Sequence, residues 1–374
     1  MKPSLYIHIP FCNRKCIYCD FYSVIYKDNV ASLYIDVITD QIGHLDQQFS
    51  TIYIGGGTPT ALNEKLLEKL LKALKRSSDK ILEFTIEANP ESLNAEKIKL
   101  FLSLGANRFS IGVQSVNDQK LKKLGRIHDS KKAIESVCMA SKRGFKNISI
   151  DLIFGMWNEN LGSWRKELEE IVKLPITHVS CYNLTYEKNT PLLFALKNRS
   201  FKPLEDEAVA AMYKCAIDIL SLHGFKQYEI SNFSKDGCQC RHNLNYWENN
   251  EYAGLGASAV SYTGGIRSKN VSDVEEYIIR YNGGRSLIES SEKLSVLKRA
   301  KETAAVKIRT KEGIDFNWFR NKTDFDFCKL EKGVLPGLIQ EGFIKYKKEN
   351  NVLIGICLKR KGFLFSDTVS SAFL

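Results

Sequence analysis

The stretch FCNRKCIYCDF, residues 11–21, sets Cys12, Cys16 and Cys19 at the spacing C-x3-C-x2-C. Three thiols so close together can bind metal, close a disulfide or pack as small core residues. Structural zinc takes four ligands, usually as two pairs, and the chain offers no second pair nearby. Iron–sulfur clusters are held by thiolates in short runs of this kind. A [4Fe–4S] cubane held by three protein thiolates leaves one iron open to an outside ligand. Arg14 and Lys15 stand among the thiols, where they offset the cluster's negative charge and favour thiolate formation. A metal site is the reading that fits this trio.

Other residues of chemical interest lie further along. GGGTP at 55–59 gives a backbone that can approach a ligand closely, or simply a turn. Glu87, in TIEANP, is either a buried ion-pair partner or a ligand contact. Tyr6 and Tyr18 flank the first and last thiols and serve equally as core aromatics; His8 is a strand histidine or a site residue.

These residues need a scaffold. Strand-like runs occur at 4–9, 51–55, 81–88, 107–112, 147–154 and 177–184, with helical patterns between them. Leu66, Leu67, Leu70, Leu71 and Leu74 mark one apolar stripe within a helix expected over 63–77; Asn63 and Asn94 are expected N-caps, and Gly105 and Gly144 expected C-caps. Six strand–helix units imply an α/β fold with a parallel sheet and right-handed crossovers. Polar or glycine-rich residues follow nearly every strand, which favours a partial (β/α)6, TIM-like barrel with its chemistry at one rim. The expected organisation is a barrel core over 1–200, a linker or extension over 201–285, and a small winged-helix-like domain over 286–374.

The spacing of the three cysteines, with Tyr18 just before the last, resembles the radical S-adenosylmethionine superfamily. GGGTP, Glu87, GVQS at 112–115 and LGRIH at 124–128 are similar to one branch of it, as is the whole chain to its tail LKRKGFLFSDTVSSAFL. That branch holds the oxygen-independent coproporphyrinogen III oxidases, or HemN proteins, and the HemW haem chaperones. The resemblance implies that Cys12, Cys16 and Cys19 bind the cluster. It also implies that Tyr6, Tyr18, Gly56, Gly57, Thr58, Glu87, Gln114, Arg126 and Asp151 hold S-adenosyl-L-methionine, whose sulfonium takes one electron from the reduced cluster. An arginine suits the methionyl carboxylate, and an acidic residue suits ribose hydroxyls or the sulfonium end.

HNLNYW, carrying His242, Asn243, Tyr246 and Trp247, resembles the HNxxYW signature of the HemW branch. The resemblance implies haem binding there, since His or Tyr can ligate the iron and Trp can lie against the macrocycle; Cys240 is a further candidate ligand. The residues alone favour a histidine capping backbone beside core aromatics, and the resemblance reverses that reading. Phe21 stands where the oxidases carry a fourth cysteine, and this favours the chaperones. Val260 replaces a histidine frequent among HemW proteins and resembles the oxidases instead. The implied role is delivery of haem to apo haemoproteins such as respiratory enzymes, with contact at the membrane surface. Its rivals are oxidative decarboxylation of coproporphyrinogen III in porphyrin biosynthesis and a radical reaction on a small molecule that is not a porphyrin.

Composition narrows the setting. The chain has 374 residues, 44% hydrophobic and 26% charged, as ordinary globular proteins have. No apolar run is long enough to span a bilayer, and Lys2 and Pro3 lead straight into a strand, so a cytoplasmic protein without a leader is expected. The net charge of +11 is spread along helices, and no nucleic-acid motif accompanies it. Ten cysteines in such a chain predict no disulfide framework; Cys138, Cys181, Cys215, Cys328 and Cys357 read as core thiols.

Overall fold

A computed structural model describes residues 2–75 and 81–374; the last two residues of the helix expected over 63–77 lie outside these. Six parallel strands form its centre: β1 (Ser4–Ile9), β2 (Thr51–Gly56), β3 (Glu83–Ala88), β4 (Arg108–Gln114), β5 (Asn147–Phe154) and β6 (His178–Asn183). They pair in sequence order. Because each new strand joins on the same side, right-handed crossovers place every connecting helix on one face. Those helices are α1 (Asp28–Gly43), α2 (Glu64–Lys75), α3 (Ala95–Ser103), α4 (Ser130–Lys142) and α5 (Leu161–Ile171). A sheet covered on one face alone curls around the other, which gives a partial (β/α)6 barrel with a lumen.

Alternation along the strands divides the two faces. Leu5, Ile7, Ile52, Ile54, Phe84, Ile86, Phe109, Ile111, Ile150 and Val179 are buried in the apolar core with the helices. All five leucines of the α2 stripe join them. The alternate residues are polar and bond to one another across the lumen. Thr51 Oγ1 donates to Ser4 Oγ at 2.8 Å, Tyr53 Oη to Glu87 Oε1 at 2.5 Å, and Ser149 Oγ lies 2.7 Å from His178 Nδ1. Buried polar groups are tolerated in such numbers because they satisfy one another.

Helix ends follow the expected chemistry. Asn63 and Asn94 accept the backbone N–H groups of Leu66 and Lys97, and Gly105 and Gly144 adopt φ of 97° and 117°. Among the five isolated cysteines, Cys181, Cys215 and Cys357 are buried, whereas Cys138 is half-buried and Cys328 exposed on a short surface helix. The core reading fails for Cys328.

The barrel stays open, because other strands occupy its two edges. β6 pairs antiparallel with β7 (Asn232–Ser234), and β1 pairs in parallel with β8 (Tyr252–Leu255). Three antiparallel strands, β9 (Val260–Thr263), β10 (Ile266–Asn270) and β11 (Ile288–Lys293), continue the sheet beyond β8. Within 201–285, expected as a linker or extension, the short strands Lys226–Gln227, Asn232–Ser234, Tyr252–Leu255, Val260–Thr263 and Ile266–Asn270 are part of the sheet. Two short helices stand at opposite ends of the barrel, α6 (Pro191–Lys197) at the rim and α7 (Arg241–Trp247) at the other end. Beyond them come α8 (Val296–Lys307), a short strand, further helices and a hairpin of Ile344–Glu349 with Val352–Leu358. Ile308, Ile314, Phe319 and Val369 of this region join the same apolar core. No helix among the described residues is long and apolar enough to cross a membrane.

Candidate functional site

The cysteine loop leaves β1 at the rim. Its base is pinned where Phe11–Cys12 pairs with Val24–Ile25, and Tyr26 N donates to Cys12 O at 2.9 Å. Cys12, Cys16 and Cys19 are all half-exposed and unoxidised. A chain of contacts joins the first two. Cys12 Sγ lies 3.5 Å from Thr58 Oγ1, which accepts from Asn89 Nδ2 at 2.8 Å. Asn89 Oδ1 in turn accepts from Arg126 Nη2 at 2.6 Å, and Arg126 Nη1 donates to Cys16 Sγ at 3.3 Å.

Burial pushes the Cys12 thiol up and the Cys19 thiol to about 11, with the neighbouring sulfurs adding to the latter. Phe21 donates its backbone N–H to the Cys19 sulfur while its ring is 67% exposed. Among the described residues no three donor side chains are already drawn together at ligating distance. As a donor set the loop nevertheless fits the expected group: three free thiols at an open rim, a buried guanidinium beside one of them, and no fourth donor at Phe21.

GGGTP is stitched to the same loop. Gly57 N donates to Ile9 O at 2.9 Å and Thr58 N to Phe11 O at 2.8 Å. A Cβ on Gly57 would lie 2.9 Å from Phe11 O, and Gly56, at φ 112°, has the His8 ring 2.6 Å from such an atom. Close packing against the cysteine-bearing strand therefore demands these glycines. Glu87 accepts from Gly56 N at 3.1 Å as well as from Tyr53, and burial raises its pKa to about 7. Gln114 adopts φ 64° where the β4–β5 register slips, a bulge that ends pairing at the rim. Arg126 also donates to Gly112 O at 3.0 Å. Asp151, inside the lumen, is held by the Ser180 and Ser110 hydroxyls, and burial raises its pKa. Tyr18 packs beside Arg126, and Tyr6 Oη lies 2.9 Å from His8 Nδ1 within the lumen. The structure brings these expected residues to the rim and upper lumen.

The HNLNYW residues lie elsewhere. Helix α7 closes the lumen at the end opposite the rim, where Glu83 accepts from Arg241 N at 2.9 Å and His242 N at 3.1 Å. His242 is 1% exposed. Its Nδ1 lies 2.8 Å from Thr51 Oγ1, whose hydrogen goes to Ser4, and its Nε2 lies 3.0 Å from Tyr246 Oη. That leaves a neutral imidazole protonated on Nδ1, with burial holding its pKa down near about 3. Both ring nitrogens of His242, the expected haem ligand, are engaged within this floor. Tyr246 meets His242 and Tyr252 edge to face; Trp247 lies under Arg309, its Nε1 buried with no hydrogen-bond partner among the described residues. Asn243, in the same helix turn, is half-buried. Cys240 is wholly buried, its sulfur 3.4 Å from Glu83 Oε1.

The fold and these residues have known relatives. The profile of the radical SAM superfamily matches residues 6–171. Over 377 residues the chain is 35% identical to the "Heme chaperone HemW" of Lactococcus lactis, covering 100% of this chain and 98% of that one. It is 34% identical to the protein of the same name from Bacillus subtilis over 99% of both chains. The chain belongs to the HemW family of radical SAM proteins. The solved coproporphyrinogen III oxidase HemN of Escherichia coli superposes with TM-score 0.85 at 21% identity, covering 100% of this chain and 90% of that one, and so shares its fold.

Two further residues of this HemW-family chain hold the site together. Asn89, within TIEANP, bridges Thr58 and Arg126, and Tyr53, deeper in the lumen, holds Glu87. Alternation is the signal that could have found them: Asn89 lies two residues after Glu87, and Tyr53 sits on the lumen face of the strand before GGGTP.

Proposed function

We propose that this chain is a haem chaperone that holds a [4Fe–4S] cluster through Cys12, Cys16 and Cys19, binds S-adenosyl-L-methionine at the rim, and passes haem to apo haemoproteins, respiratory enzymes among them. The observation that carries this reading is full-length similarity to proteins named haem chaperones, together with Phe21 where a fourth cysteine would mark an oxidase. The 67% exposure of the Phe21 ring supports it, because that position presents an apolar surface at the loop instead of another thiol.

When bound, the cluster would supply the electron that the sulfonium accepts and an open iron for the methionyl group. The chain's own residues orient and shield. Arg126, fixed by Asn89 and Gly112, presents a guanidinium that suits a carboxylate. Glu87, poised near about 7 and held by Tyr53 and Gly56, suits an ammonium donor in its ionised form. Asp151, held by the Ser180 and Ser110 hydroxyls, would suit ribose hydroxyls. The spread positive charge is compatible with docking to an anionic membrane surface.

The test is transfer. Cluster-reconstituted protein loaded with haem is mixed with an apo haemoprotein, and the acceptor's absorbance is followed. Acceptor activity should appear, with the porphyrin side chains unchanged. An acceptor that stays apo would sink the reading.

A further inference from the structure

We propose, resting on the carrier reading, that haem lies on an aromatic shelf at the rim and not on the HNLNYW helix. Trp157 follows β5, Tyr186 follows β6 and Phe201 follows α6, and all three are half-buried. The Phe201 ring stacks on Trp157 with centroids 4.2 Å apart and planes 19° apart. Tyr186 lies 6.0 Å from Phe201, with planes 29° apart. Near-parallel rings form a slab with flat apolar faces, which is the surface a planar macrocycle covers.

The shelf borders the cysteine loop. Its rings pack on a small apolar cluster of Leu124, Ile153, Met156, Leu184 and Leu192, separate from the main core, and Ile17 and Tyr18 pack on the same cluster. Leu192 N donates to Ile17 O at 2.9 Å, which ties α6 to the loop between the second and third cysteines. Phe194, on that helix, is 67% exposed and extends the apolar surface.

The shelf also carries polar complements to haem. Tyr186 Oη is buried with no hydrogen-bond partner among the described residues. Lys188, Lys197 and Arg199 lie within a few residues of the shelf in sequence and are exposed, and none of them forms an ion pair among the described residues. Haem is a flat apolar body with two propionates, and an aromatic slab beside such cations matches both. The α7 floor offers no free imidazole nitrogen among the described residues.

Haem is titrated into cluster-reconstituted protein, into Trp157→Leu and Phe201→Leu, into the double variant Lys197→Glu/Arg199→Glu, and into His242→Ala. The leucine variants keep apolar volume but lose the stacked planes; they should bind haem about tenfold more weakly with unchanged iron and sulfide content. His242→Ala should bind as the parent does. Affinity within about threefold of the parent for both leucine variants would overturn the shelf. Should those variants fail to hold the cluster, the charge-reversed one decides. It should weaken haem about fivefold and leave haem dimethyl ester unaffected, and unchanged haem affinity there would again overturn the shelf. A parent protein that binds no haem would sink the carrier reading itself, a result distinct from either.

Discussion

Arg126 connects most of the rim chemistry, since its guanidinium reaches Cys16, Asn89 and the Gly112 carbonyl at once. Arg126→Ala is expected to weaken S-adenosylmethionine binding at least about tenfold, about 1.5–3 kcal/mol, by calorimetry on reconstituted protein. Unchanged affinity would remove Arg126 from the site. Cys16→Ala should abolish the visible absorbance of the reconstituted cluster; retained iron and sulfide would contradict the ligand assignment. Arg126 was read through the resemblance of LGRIH, whereas Cys16 was legible from the residues themselves, three cysteines falling within eight positions. Asn89 and Tyr53 were not, because what matters about each is the partner it meets from another strand. His242 illustrates a different limit. Its residue type and motif suggest a ligand, yet burial and two hydrogen bonds make it part of the floor.

That floor depends on one carboxylate. Glu83 receives the first N–H groups of α7 and the Cys240 thiol, so a single side chain from β3 fixes the helix that closes the lumen. Glu83→Ala leaves these donors buried without a partner and should cost about 2–3 kcal/mol in urea unfolding. A loss below about 0.5 kcal/mol would show that α7 is held by other means. Among the elements, the six strands and their helices were readable from alternation and helical period, because apolar residues mark the outer face of every strand. The edge strands were harder to see. β7 and β8 are only three and four residues long, and their place follows from which sheet edge is free.

Across the molecule, the barrel meets the C-terminal region at Glu229, which bridges to Thr310 and is 1% exposed. Burial raises its pKa to about 7, as it does for Glu87. An acid whose pKa is higher in the folded than in the unfolded chain holds more protons when folded. Its stabilising contribution is therefore complete below about pH 4.5 and is lost as pH rises to about 7. Each group contributes up to about 3 kcal/mol of such slope. Glu229→Gln should flatten the fall in cofactor-free stability across this window by roughly half, and an unaltered slope would mean that Glu229 ionises normally.

Function at this scale turns on whether a fold shared with an oxidase carries haem or converts its precursor. The direct measurement is anaerobic. Reconstituted protein with S-adenosylmethionine and a reductant receives haem in one sample and coproporphyrinogen III in another. One equivalent of haem should bind and pass to an apo haemoprotein, and coproporphyrinogen should be recovered with its propionates intact. Vinyl-bearing product in the second sample, with no haem bound in the first, would contradict the chaperone reading.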